Sequence, residues 1–209
     1  MANLPDEKTY VEIPFIEQLK GMGWGHIEGD IDVPYLTERE SFREVLLKDR
    51  LRKALKKINL NDRGNPWLDE DRINQIVSVL ERISAPKLIE ANKTAFDLIV
   101  GGFSVSGGLN ADSNREKTAR IIDFEHPEQN DFLAINQFRV DVPGGKTFIA
   151  PDIVLFVNGI PLVVVECKSP KITNPMEEGI NQLLRYQIHM RPECTLQFFV
   201  QPACCVLSV

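Results

Sequence analysis

Apolar residues recur along this chain with two periods, one helical and one strand-like. From Tyr10 to Met22 the apolar positions Phe15, Ile16, Leu19 and Met22 fall on one side of a helix, and Gly21 and Gly23 mark its end. Trp24 to Tyr35 has no period and contains Gly25, Gly29 and Pro34, so it reads as a loop. A longer amphipathic helix is predicted from Glu38 to Ile58, with Phe42, Leu47, Leu51, Ala54, Leu55 and Ile58 as its apolar side. Asp69 to Ile83 is another helix, with Ile73, Ile76, Val77 and Leu80 on one face and three acids at its N-terminal end. Lys87 to Val100 is ambiguous between helix and strand. Thr118 to Phe124 and Asp131 to Val140 read as strands, and Pro143-Gly144-Gly145 as a turn. Asn174-Pro175 opens a helix to about Met190, with Ile180, Leu183, Leu184 and Ile188 as its apolar face and Gln182 and Tyr186 roughly opposite. Leu196 to Val200 and Ala203 to Val209 are short strand-like segments.

The strongest strand signal is a pair of apolar runs, Val154 to Val157 and Leu162 to Val165, around Asn158-Gly159. Both turn residues tolerate positive φ, which marks a hairpin. The second run has no polar alternation, so both of its faces are expected to be buried. Yet it ends in Glu166 and Lys168, two positions apart and therefore on one face. Burying an unpaired charge costs several kcal/mol. Asp152, at the start of the first run, is the third charge that the hairpin brings to this end. A two-residue loop would pair Val157 with Ile160 and set Asp152 opposite Val165, leaving Glu166 on the other face. A shared site therefore requires a three-residue loop, Asn158 to Ile160, or a bulge beside Asp152.

Two carboxylates and a lysine in one place suit phosphodiester hydrolysis. The carboxylates can hold Mg²⁺, which takes oxygen ligands and keeps several waters. Such an ion acidifies a bound water and stabilises charge on phosphate oxygens. The lysine can orient the water or neutralise developing charge. The structural alternative is an edge hairpin with solvated charged ends.

Composition changes this picture little. Hydrophobic residues make up 43% and charged residues 26%, an ordinary globular mix. The net charge of −6 argues against a protein that coats DNA by bulk electrostatics, but not against a local basic patch. The Glu38–Ile58 segment carries eight Lys/Arg against four Asp/Glu, and Lys53, Lys56 and Lys57 are candidate phosphate contacts. A solvated helix face is the alternative. Cys167, Cys194, Cys204 and Cys205 form no C-x-x-C pair, which suits a reducing cytoplasm. His26, His126 and His189 lack metal-ligand spacing. Gly102-x4-Gly107 is followed by Gly108-Leu109 rather than Lys-Ser/Thr, so it encodes no phosphate-binding loop. No secretory signal and no transmembrane run is visible.

Pro151-Asp152, thirteen intervening residues and Glu166-x-Lys168 resemble the PD-(D/E)xK nuclease motif. The longer run APDIVLFVNGIPLVVVECKSP, followed by Gln182-x3-Tyr186, resembles the nuclease domain of the restriction (R) subunit of type I restriction–modification enzymes. That resemblance extends from about Tyr10 to the end of the chain. It implies an α/β fold: a mixed β-sheet flanked by helices, with a helical insertion at about residues 36–92, all in one nuclease domain over residues 1–209. It implies metal-dependent endonucleolytic cleavage of double-stranded DNA, with Asp152 and Glu166 as Mg²⁺ ligands and Lys168 as the residue that positions water. Gln182 and Tyr186 would support the site. Glu12 would add a further acid, with Glu17 as its fallback; alternatively, Thr9-x-x-Glu12 is a capping box, a reading that Pro14 weakens. Family members continue into an ATP-driven translocase and assemble with methylation and specificity subunits. Those motor parts are not in this chain, so weak or no cutting is expected from it alone. Two alternatives stand beside this reading: a repair or junction nuclease of the same fold, and a non-catalytic module that binds DNA or partner subunits.

Overall fold

The two apolar runs form the middle of a five-stranded sheet. In the computed structural model, residues 6–83, 88–105, 116–142, 147–169, 171, 173–189 and 204–208 are described. The strands in chain order are β1 (Gly25–Glu28), β2 (Phe103–Val105), β3 (Lys117–Ala119), β4 (Phe132–Asn136), β5 (Val140–Asp141), β6 (Phe148–Ile149), β7 (Ile153–Val157), β8 (Ile160–Lys168) and β9 (Cys204–Ser208). The helices are α1 (Ile13–Gly21), α2 (Lys48–Ile58), α3 (Glu70–Glu81), α4 (Leu88–Gly101) and α5 (Pro175–His189). The large sheet runs β1-β4-β7-β8-β9. Its two outer pairings are parallel and the central ones antiparallel. This is the expected α/β architecture with a mixed sheet. The expected turn at 143–145 and strand at 196–200 lie outside the described residues.

Both faces of the hairpin are covered, as its unbroken apolar pattern requires. Ile153, Leu155, Val165 and Cys167 pack with Val11, Ile16 and Leu19 of the N-terminal helical segment. Val154, Phe156 and Val164 join a larger core with Leu51 and Leu55 of α2 and the Ile73, Ile76, Val77 and Leu80 stripe of α3. Asp69 caps α3, its carboxylate accepting the Arg72 N–H at 3.0 Å.

Three expectations from periodicity are corrected. The helix predicted from Glu38 begins only at Lys48. Glu38 is left-handed at φ 58°, and Arg39 is buried, stacking on Phe138 at 3.7 Å and donating to the Glu44 and Arg139 carbonyls. These tertiary contacts outweigh local propensity. The loop predicted after Trp24 contains β1, a short strand without alternation. The ambiguous segment is helix α4. Residues 120–124, read as part of a strand, lie beyond the short β3.

The turn of the hairpin is buried. Asn158 and Gly159 have φ of 53° and 79°, the pair of positive values of a tight two-residue loop. Asn158 is fully buried and donates to the Ile121 carbonyl and to Asn130, while its own Oδ1 accepts from the Asp131 N–H. The Gly159 carbonyl accepts from Leu47, just before α2. A Cβ at Gly159 would lie 2.5 Å from the Leu47 carbonyl oxygen, on a backbone that already disfavours L side chains. Gly159→Ala is expected to cost about 3 kcal/mol in urea unfolding, from positive φ plus overpacking. A loss under about 0.5 kcal/mol would show that α2 is free to move away from the turn.

Candidate active site

The register of the hairpin decides which charges meet. Val157 pairs with Ile160 and Phe156 with Pro161, so the three-residue loop is not formed. The ladder then shifts: Leu155 pairs with Val163, leaving Leu162 as an extra residue. This is a bulge beside Pro161, whose ring nitrogen has no N–H for the ladder, rather than beside Asp152. Beyond it Ile153 pairs with Val165, which sets Asp152 opposite Glu166. Tight turn and bulge together give the register that a bare two-residue turn would forbid.

Lys168, 4% exposed, lies at the centre of the resulting cluster. Its ammonium donates to the Cys167 carbonyl at 2.7 Å and lies 3.5 Å from Glu166, 3.9 Å from Asp152 and 3.7 Å from Glu7. The Asp152 carboxylate accepts the Cys167 N–H at 2.7 Å, fixing it across the ladder. Glu166 is fully buried, and its Oε1 has no hydrogen-bond partner. Burial, followed by the neighbouring Asp152 charge, pushes its carboxyl up to about 8; the Tyr186 hydroxyl and Lys168 act in the opposite direction.

Tyr186 and Gln182 come from α5, where Gln182 donates to the Tyr186 hydroxyl at 2.7 Å. Burial and then Glu166 raise the Tyr186 phenol, so it stays a proton donor beside the carboxylate. The orientation of α5 corrects its predicted apolar face. Ile180 and Leu184 are about half exposed, whereas Leu183 and Tyr186 pack on the core.

The N-terminal segment supplies acids from the other side of the sheet. Lys8–Glu12 is a π-helical turn, in which Ile13 N–H bonds the Lys8 carbonyl five residues back. Residues five apart lie one above the other in such a turn, so Glu7 and Glu12 share a side. Glu12 is buried and its Oε1 accepts from Asn136 Nδ2 at 2.8 Å. Burial raises its carboxyl, Asn136 opposes this, and Asp152 adds to the rise. The capping box is not formed, because Asp6 rather than Glu12 serves the turn by accepting the Thr9 N–H. Glu17 points away and pairs with Lys20. Glu7, which no motif marked, accepts the Ser169 N–H at 3.0 Å while facing Lys168.

Lys53, Lys56 and Lys57 are not brought to this cluster. They lie on α2, whose start packs on the Asn158-Gly159 turn, and Glu166 lies six residue steps along the strand from Ile160, roughly 20 Å. Lys56 pairs with Glu70, and Lys57 donates to the Gln129 carbonyl. His126, expected to be no ligand, falls with Asp123 and Glu125 within ligand spacing of one another. There Asp123 Oδ1 accepts the N–H groups of Glu125 and His126, and its Oδ2 lies 3.6 Å from His126 Nδ1.

The donors at the cluster suit a hard divalent cation. Asp152 and Glu166 offer carboxylate oxygens, one of them buried and unpartnered. A cation between them would compensate the like-charge repulsion that raises Glu166.

Comparison with known proteins bears on the family of the chain. The profile of the family described as Type I restriction enzyme R protein N terminus matches residues 5–201. The Type I restriction enzyme HindI endonuclease subunit of Haemophilus influenzae is 31% identical over 82% of this chain. A Methanocaldococcus jannaschii protein, whose name assigns it to the endonuclease subunit of a type I restriction enzyme, MjaIXP, is 33% identical over 84% of the chain. The chain spans only 16% of the length of each of these relatives. Among the described residues no helix is long and apolar enough to cross a membrane. With a profile match over nearly its whole length, this chain belongs to the family of type I restriction enzyme R protein N-termini.

Proposed function

We propose that this chain is the DNA-cleaving part of a type I restriction enzyme and hydrolyses phosphodiester bonds in double-stranded DNA with a divalent metal, Mg²⁺ by preference. The observation that carries this reading is the unpartnered buried oxygen of Glu166 beside Asp152 and Lys168. Asp152 and Glu166 would hold the ion, which when bound supplies Lewis-acid stabilisation of the phosphate and a more acidic water. Lys168 holds a positive charge beside both carboxylates, where it orients the attacking water and stabilises negative charge developing on phosphate oxygens. Tyr186, fixed by Gln182, acts on Glu166 as a donor and keeps that carboxylate oriented. Glu12 contributes a third acid beside Asp152.

The proposed partners are the methylation and specificity subunits of a type I complex, in the cytoplasm. An ATP-driven motor would lie in the part of the relatives that this chain does not span. Without the motor, the chain by itself is expected to nick supercoiled plasmid weakly in Mn²⁺ or Mg²⁺. That nicking should vanish in EDTA and in Lys168→Ala. Robust cleavage in EDTA, or cleavage undiminished in Lys168→Ala, would contradict the hydrolytic site.

A further inference from the structure

We propose that Asn136 and His26 are positioning residues for this reaction, holding the Glu12 carboxylate in one orientation beside Asp152. The inference rests on the metal-dependent reading above. Glu12 is buried but comes from the N-terminal segment rather than from the sheet, so no strand ladder fixes its side chain. Its hydrogen bond comes from Asn136 Nδ2, at the end of β4. Asn136 is itself 2% exposed, and its Oδ1 lies 3.1 Å from His26 Nε2 on β1.

The sheet sets this chain of contacts. In the β1–β4 pairing His26 lies opposite Ala134, and Glu28 opposite Asn136. His26, Ala134 and Asn136 therefore share one face, by the two-residue period of strands. Ala134 packs there with Val11, the neighbour of Glu12. A carboxamide can be turned end for end, and the two orientations present opposite groups. With Nδ2 toward Glu12, the amide donates to a carboxylate and its oxygen faces His26. Reversed, its oxygen would face the carboxylate and repel it. In the tautomer that carries its N–H on Nε2, His26 would donate to Oδ1 and select the productive orientation. His26 thus acts on Glu12 through Asn136 without touching it. Groups that orient ligands in this way typically change metal affinity by about 10- to 100-fold when removed.

Thermal melts of the whole chain against Mn²⁺ concentration test this. Glu12→Gln and Asn136→Ala should each weaken the apparent Mn²⁺ affinity about tenfold. The double variant should be no weaker than Glu12→Gln alone, because Asn136 acts through Glu12. His26→Gln, which keeps an N–H donor, should retain more affinity than His26→Ala. Asn136→Leu, which has the same branched heavy-atom skeleton, should match Asn136→Ala and serves if the smaller residue does not fold. Additive effects in the double variant would overturn the inference. So would wild-type Mn²⁺ affinity in Asn136→Ala beside a weakened Glu12→Gln. A wild-type chain that ignores Mn²⁺ would overturn the hydrolytic reading itself, and this inference with it.

Discussion

Glu166→Gln is expected to melt higher than the wild type in metal-free buffer at pH 9, and to lose the wild type's stabilisation by Mg²⁺ or Mn²⁺. The carboxyl of Glu166 is pushed up to about 8 by burial and by Asp152, from an ordinary value of 4.5. A carboxyl that binds its proton more tightly when folded costs nothing below its unfolded pKa. The penalty grows as pH rises from about 4.5 to about 8 and is complete above that. The amide carries no charge at any pH and keeps an oxygen for Tyr186. At pH 9 its advantage is on the order of 2–4 kcal/mol. For a chain of this size that is roughly 5–10 °C in melting temperature. Below pH 5 the advantage should vanish. A cation shared with Asp152 would relieve the same penalty, and at about 100 times its dissociation constant it adds about 2.7 kcal/mol to the wild type. Asp152→Ala should likewise abolish the metal effect without unfolding the chain. A glutamine variant less stable than wild type across this range, or one that still responds fully to metal, would sink the shared-ion site.

Inserting one alanine between Val164 and Val165 is expected to abolish metal stabilisation and to cost at least about 4 kcal/mol. The ladder passes over Leu162 and then runs regularly through Val163, Val164 and Val165. With turn and bulge retained, the added residue would pair with Ile153 and move every later residue of β8 to the other face. Glu166 and Lys168 would then enter the apolar layer of Val11, Ile16 and Leu19. Burying those charges away from their partners costs several kcal/mol. The chain can avoid this only by opening a second bulge inside the buried ladder or by remodelling the turn, which sacrifices the buried hydrogen bonds of Asn158. Deleting Leu162 is the contrasting variant: it closes the bulge, keeps Leu155 against Val163 and Asp152 opposite Glu166, and loses only packing at a half-buried position, about 1–2 kcal/mol. Its metal response should survive. Circular-dichroism melts of both variants with and without Mn²⁺ read the difference. An insertion variant with wild-type stability and metal response would show that the register of this ladder does not set the site.

The charged end of the hairpin was legible because Glu166 and Lys168 contradict the apolar run that leads to them. The turn was legible from Asn158-Gly159, but its register was not: a run of consecutive apolar residues has no alternation to mark a bulge, and Pro161, without an N–H for the ladder, was its one sign. Helix α3 followed its periodicity, since its stripe and its Asp69 cap agree. The helix predicted from Glu38 failed where Arg39 stacks on Phe138, a contact about a hundred residues away in sequence. Glu7 and Asn136 carry no signal in the sequence for a similar reason. A carboxylate near the N-terminus and an amide at a strand end become informative only when the fold brings them to Lys168 and Glu12.

The cluster draws on residues from 7 to 186, nearly the full described chain, and this has a consequence in time. During synthesis the N-terminal acids emerge first and the Tyr186 hydroxyl last. At typical elongation rates of about 5–20 residues per second, Glu12 precedes Tyr186 by roughly 10–35 s. A nascent chain in that interval holds two acids with no hairpin to complete them, and then a hairpin whose Glu166 lacks its phenolic donor. On the proposed function, the groups that would cut DNA therefore cannot all meet before residue 186 has been made.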